Sequence, residues 1–211
     1  MMSSLLLSLL VLLLVLSLSV NGDDKTCNDA IPLTKAVVGN SKPYSLVASG
    51  LRKKNLFVVN VDVYHVGIYA SPSLENTIKS NIKANKDFGL SSKTGDDVSL
   101  SIYLKFVRAV TTDKIVQAFQ EGLSSSVTDK NALNSFTSIL LKKIGSKGAS
   151  KDDTIEFIFK GRNNDEIGII VRDDNAEIVK SAALRERLID IYAGKDSIVP
   201  ELPKQIVNKY K

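Results

Sequence analysis

The chain has 211 residues and a formal net charge of +5, from 28 Lys and Arg against 23 Asp and Glu. Its lysines are scattered and form no basic stripe interleaved with aromatics, which argues against a nucleic-acid partner. One cysteine, Cys27, excludes an internal disulfide framework, and one histidine, His65, excludes a His/Cys cluster at metal-ligand spacing.

Residues 3–20, SSLLLSLLVLLLVLSLSV, are uncharged and mostly Leu and Val, and the polar stretch NGDDKTC follows. A short apolar core, then small residues, then an acidic start reads as a secretory signal peptide over residues 1–22, cleaved after Gly22. The expected destination is the secretory pathway or secretion. No stable membrane insertion is expected after cleavage, because no second apolar run reaches the ~20 residues of a spanning helix. Residues 23–43 are polar, hold Pro32 and Pro43, and read as an irregular lead-in with a short strand near 34–38. One domain is expected over 44–211, long enough for a real core.

Within that domain YSLVASG, 44–50, and the run 56–70 read as strands. Pro72 ends the second, and 74–86 suits a short helix before the turn region 89–97. Residues 98–107 alternate cleanly, with Val98, Leu100, Ile102, Leu104 and Phe106 on one face and Ser99, Ser101, Tyr103 and Lys105 on the other. Thr111 or Thr112 caps a helix with Ile115, Val116, Phe119 and Leu123 on one stripe. Thr128-Asp129 starts another, with Leu133, Phe136, Leu140 and Ile144 inward and Gly145 at its end. Residues 154–171 look like a β-hairpin around a turn rich in Gly, Asn and Asp. Asp173-Asp174-Asn175 is expected to cap a long helix over 176–192, and the chain closes with a loop and a short amphipathic helix. Strands and helices do not alternate regularly, so the fold class is α+β: an antiparallel sheet with helices on one face.

Familiar catalytic signatures are missing. There is no Gly-x-Ser-x-Gly elbow, phosphate loop or Gly-x-Gly-x-x-Gly, so no cofactor is expected. The Asp pairs at 23–24, 96–97, 152–153 and 173–174 lie where Asp caps or turns the chain, and no metal is expected there. His65, on a strand, reads as a satisfied structural histidine. What remains is the 56–70 strand. Asn60, Asp62 and Tyr64 share a face whose two ends, Leu56, Val58, Val66 and Ile68, are apolar. Such a face fits either a cleft for an amphiphilic molecule or an edge strand with a wet middle.

The stretch LVASGLRKKNLFVVNVDVYHVGIYAS resembles the core motif of the chalcone isomerase superfamily, through Gly50, Arg52 and Val66-Gly67-Ile68-Tyr69. LKFVRAVTTDKIVQAFQEGL, 104–123, and ALRERLIDIYAGKDSIVPEL, 183–202, are similar to later parts of that family, so the resemblance covers most of 46–202. It implies an open-faced β-sandwich, a large antiparallel sheet covered by helices with a ligand cleft between. In true chalcone isomerases an arginine, a threonine, a helix tyrosine and asparagine, and a late hydroxyl residue close a ring by phenolate attack on an enone. Here the arginine matches Arg52 and the threonine position holds Tyr64, twelve residues later. The helix pair falls near Lys114 and Glu121, and the late hydroxyl near Ile191.

Tyr at the strand position is similar to the family's fatty-acid-binding branch. By resemblance, Arg52 and Tyr64 would hold a carboxylate, with Ile191 beside the ligand. An Arg fork matches a carboxylate in two parallel bonds, and a Tyr hydroxyl adds a donor. The expected function is therefore binding of a fatty acid or similar amphiphilic carboxylate without catalysis. The alternative is a chalcone-type isomerase in which Arg52 and Tyr64 are catalytic and Arg52 stabilises a phenolate and enolate. A basic turn at Arg52-Lys53-Lys54 with no ligand is the plain structural reading.

Overall fold

The computed structural model describes residues 30–37, 42–56, 59–92, 94, 98–162 and 165–211. The expected signal peptide and Cys27 lie outside the described residues. No described helix is long and apolar enough to cross a membrane.

Among the described residues, seven strands form one sheet in sequence order, each antiparallel to the next. They are β1 (Thr34–Lys35), β2 (Tyr44–Leu56), β3 (Val59–Ala70), β4 (Val98–Phe106), β5 (Thr154–Lys160), β6 (Glu166–Val171) and β7 (Glu177–Lys180). Five helices are described: α1 (Pro72–Lys83), α2 (Thr112–Ser124), α3 (Lys130–Ile144), α4 (Ala182–Ala193) and α5 (Glu201–Tyr210).

The alternation in β4 creates the two faces from Leu100 on; Val98, expected beside Leu100, joins Ile31, Tyr69 and Ile158 on the other face, because the register shifts between Val98 and Leu100. Leu100, Ile102 and Leu104 are fully buried under the helices, where they meet Val116, Phe119, Phe136 and Leu188 in one apolar cluster. Phe119, Phe136 and Phe157 pack ring against ring with centroids 5.4–5.7 Å apart, a geometry worth about 0.5–1.5 kcal/mol per pair beyond area burial. Ser99 and Ser101 on the other face are also fully buried, because the lead-in covers them. Their hydroxyls are satisfied: Ser99 donates to the Phe159 carbonyl, and Ser101 to Glu156 Oε1 at 2.5 Å. The lead-in is strapped on by fully buried Ile31, by the Tyr69 hydroxyl donating to Pro32 O at 2.7 Å, and by Leu46 N–H donating to Leu33 O. Lys35 pairs with Glu156 and lies over the Tyr103 ring. Gly67 makes this possible, since a Cβ there would sit 2.7 Å from Ile31 Cγ2.

Several element boundaries differ from the sequence reading. The long helix expected over 176–192 is a strand and then a helix. Glu177–Lys180 pairs with Glu166–Ile169 of β6, and Ser181 caps α4 by accepting the Leu184 N–H at 3.3 Å. Edge pairing wins here because β6 would otherwise expose a row of unpaired backbone groups. Asp173-Asp174-Asn175 belongs to the turn between β6 and β7, where Arg172 and Asp173 are left-handed with φ of 54° and 58°. The Lys-rich segment is not a turn either: β2 runs on to Leu56, and β3 begins at Val59 rather than 56. Pro72 opens α1 instead of merely ending a strand, with Ser71 accepting the Leu74 N–H as its cap.

Candidate functional site

Arg52 and Tyr64 are direct cross-strand partners in β2 and β3, and Tyr64 is in turn opposite Phe106 of β4. Side chains directly opposite on an antiparallel pair share a face. This row therefore runs Arg52–Tyr64–Phe106 along the helix-facing side, at the end of the sheet where β4 stops. The Tyr64 and Phe106 rings meet edge to face at 5.5 Å.

The fourth member comes from α4. The Tyr192 hydroxyl lies 3.2 Å from the Tyr64 hydroxyl, and Tyr192 itself is fully buried. Arg52 Nη1 donates to the Ile198 carbonyl at 2.9 Å. That carbonyl is presented by a loop folded on itself: Ile198 N–H donates to Ile191 O, and the Ser197 hydroxyl donates to Tyr192 O at 2.5 Å. Gly50 admits the loop, because a Cβ at this position would lie 2.7 Å from Val199 Cγ1. The Gly50 and Arg52 of the motif thus act together: one clears the approach and the other ties it down. Side chains of α5 also serve the edge of β2, where Gln205 accepts from Ser49 N–H at 3.0 Å and Glu201 from Leu51 N–H at 3.3 Å.

Burial pushes the Tyr64 phenol above its ordinary pKa and the Tyr192 phenol well above it; the nearby Arg52 charge opposes both shifts but is outweighed. Both hydroxyls are therefore protonated at neutral pH. Since one of them donates to the other, the pair has one O–H left for a third group. A guanidinium beside that O–H suits an incoming anion, and the neutral phenols do not suit the part of a base.

The other residues named from the sequence fall elsewhere. Ile191 is buried, and its Cδ1 would be 3.2 Å from a Cβ on Gly122, so it packs against α2 and its neighbour Tyr192 carries the hydroxyl to the site. Lys114 and Glu121 are on the exposed side of α2, where Gln117 donates to Glu121 Oε1 at 2.7 Å. His65 is on the opposite face of the sheet, across from Lys105; burial first, and the Lys105 charge second, lower its pKa and keep it neutral. Asn60 and Asp62 face water. Tyr192 is the member that sequence reading misses; it stands there only within the 183–202 stretch that is similar to the family, with no role of its own.

Among the described residues, one hollow of about 280 Å³ opens beside Phe88 and Ile189 and another of about 420 Å³ beside Gly145 and Arg172, and neither is lined by Arg52 or Tyr64. The apolar side chains next to the Arg52–Tyr64–Tyr192 cluster, Phe106 and Leu188 among them, are buried in the main core cluster.

A search of curated proteins finds no match. Among solved structures, 38 chains match. One is the crystal structure of a fatty-acid binding protein from Arabidopsis thaliana, with 22% identity and a TM-score of 0.70, covering 85% of this chain and 92% of that one. At that identity the likeness shows the fold: a seven-stranded antiparallel open sheet covered by helices. A family model described as chalcone isomerase-like matches residues 28–207. The chain belongs to the chalcone isomerase-like family.

Proposed function

We propose that this protein binds a fatty acid or similar amphiphilic carboxylate in the secretory pathway and does not turn it over. The observation that carries the reading is the convergence of one cation and two neutral phenols, Arg52, Tyr64 and Tyr192, at the rim of the apolar layer between sheet and helices. A carboxylate can take the place of the Ile198 carbonyl as acceptor of the guanidinium and receive the remaining phenol proton. Charge-assisted hydrogen bonds of this kind contribute about 1.5–3 kcal/mol each. The acyl tail enters between sheet and helices, which displaces part of the packed layer, and each buried methylene returns about 0.8 kcal/mol. The fatty-acid binding structure of the same fold and the exposed Lys114 and Glu121, where an isomerase needs placed polar groups, support binding over catalysis. The uncharged apolar leader of residues 3–20 supports the location.

The test compares a long-chain acid with the alcohol of equal length, after lipid extraction of the purified protein. Replacing Arg52 by Gln is expected to weaken acid binding about 10- to 100-fold and leave alcohol binding nearly unchanged. Equal loss for both ligands would show that Arg52 only holds the loop, and no loss for either would remove it from the site.

A further inference from the structure

The β2–β3 hairpin outreaches the rest of the sheet. β4 pairs with β3 only between Tyr64 and Ala70, with Val107 N–H adding one bond to Val63 O, and β1 meets β2 only at Tyr44 and Ser45. Beyond these points Lys53–Leu56 and Val59–Asp62 pair only with each other among the described residues. A two-stranded ribbon without further support is marginal in water, so a bare arm is costly unless it meets a surface.

The arm's composition says which surface. Lys53 and Lys54 are both exposed and, being consecutive in a strand, lie on its two faces. Val59, at the outer end, is 53% exposed. Arg108 is exposed at the same end of the sheet, one residue past Val107. The arm itself carries these two lysines against one anion, Asp62, while the carboxylates at Arg108's end, Asp152 and Asp153, are paired with Lys105 and Arg172. Immediately behind it, in register, stand Arg52 and Tyr64. Cations on both faces reach an anionic plane when the arm approaches it end-on, and the apolar outer residue enters the boundary between head groups and chains.

We propose that the β2–β3 arm docks this protein on an anionic lipid surface, from which the acyl carboxylate is taken up or to which it is delivered. The proposal rests on the fatty-acid reading of Arg52 and Tyr64. Each Lys near such a surface strengthens binding by about fivefold, so the double variant Lys53→Gln/Lys54→Gln is expected to bind about 30-fold more weakly.

The experiment is co-flotation of the folded protein with vesicles of phosphatidylcholine alone or mixed with phosphatidylglycerol, at low and raised salt. Expected are binding to the mixed vesicles, reversal by salt, the stated loss in the double variant, and no change in a control, Lys79→Gln/Lys83→Gln, on exposed positions of α1. Absence of flotation with anionic vesicles, undiminished flotation of the arm variant, or equal loss in the control overturns the proposal. So does capture of an acidic protein by the arm in place of the vesicles. Titration with a soluble acid keeps the two readings apart. An arm variant that retains acid affinity but loses flotation supports docking, while a wild-type protein that floats yet binds no acid leaves the arm's contact standing and removes the fatty-acid reading.

Discussion

Gly50→Ala tests whether the approach of the 198–201 segment to β2 is what shapes the site. Gly50 sits in strand β2 opposite Val66. An added Cβ would lie 2.7 Å from Val199 Cγ1 and 3.0 Å from Cγ and Oε1 of Glu201. Val199 is 1% exposed, so it has no solvent to swing into, and the Glu201 carboxylate is engaged with Leu51 N–H. Two effects oppose each other. Ala in place of Gly in a strand gains about 0.5–1 kcal/mol of backbone entropy. Overpacking a tight contact costs about 1–3 kcal/mol. The steric effect wins, giving a net loss of about 1–2 kcal/mol and a Tm lower by about 2–8 °C for a chain of this size.

Val199→Ala should then act as a partial rescue. Alone it leaves a small void and destabilises; in the Gly50→Ala background it removes the clashing methyl, so the pair shows a favourable coupling of about 0.5–3 kcal/mol. Urea denaturation of the wild type, both single variants and the double variant measures that coupling. Additivity within about 0.3–0.5 kcal/mol would refute the contact as the reason for glycine at this position.

Two further outcomes are expected. The Arg172 side chain ties the end of α3 to the β5–β6 hairpin, donating to the carbonyls of Ile144 at 3.2 Å and Gly148 at 2.6 Å and to Asp153 Oδ2 at 2.9 Å. Since Arg172 is partly exposed, Arg172→Ala should cost only about 1–2 kcal/mol in a thermal melt. Arg172→Gly should cost less, because φ of 54° is left-handed; an equal or larger loss for Gly would remove the backbone argument. Alkaline pH should also unfold the protein. Tyr64, Tyr69, Tyr103, Tyr192 and Tyr210 all have raised pKa values, with burial the first cause in each. Below about pH 10 both folded and unfolded tyrosines are protonated and this contribution is intact. Above it the unfolded chain ionises first, so stability falls as pH rises toward the folded values. Tyrosinate absorbance should therefore appear together with loss of near-ultraviolet circular dichroism. Extensive ionisation near pH 10 with the fold intact would contradict it.

Local signals carried far in this chain. The alternation of 98–107 located β4 and, from Leu100 on, both of its faces, though not the side of Val98; the stripes of 115–123 and 133–144 located α2 and α3, and Gly145 marked the end of α3. Those expectations rest on periodicity, which burial on one face imposes directly on the sequence. The 176–192 stretch misled because EIVK is as compatible with a helical stripe as with an edge strand, and only the unpaired edge of β6 decides between them. The resemblance of the Gly50–Tyr69 stretch to a family pointed to Arg52 and Tyr64, and their cross-strand register then placed them together.

Sequence by itself determined the apolar leader, the element types over most of the chain, the family, and the pair Arg52 and Tyr64. Tertiary structure alone decided what surrounds that pair. Tyr192 lies 128 positions from Tyr64. Nothing local distinguishes its hydroxyl, aimed at the site, from the side chain of Ile191 beside it, aimed at Gly122. A helical step of about 100° separates those directions, and only the packing of α4 on the sheet says which of the two points inward.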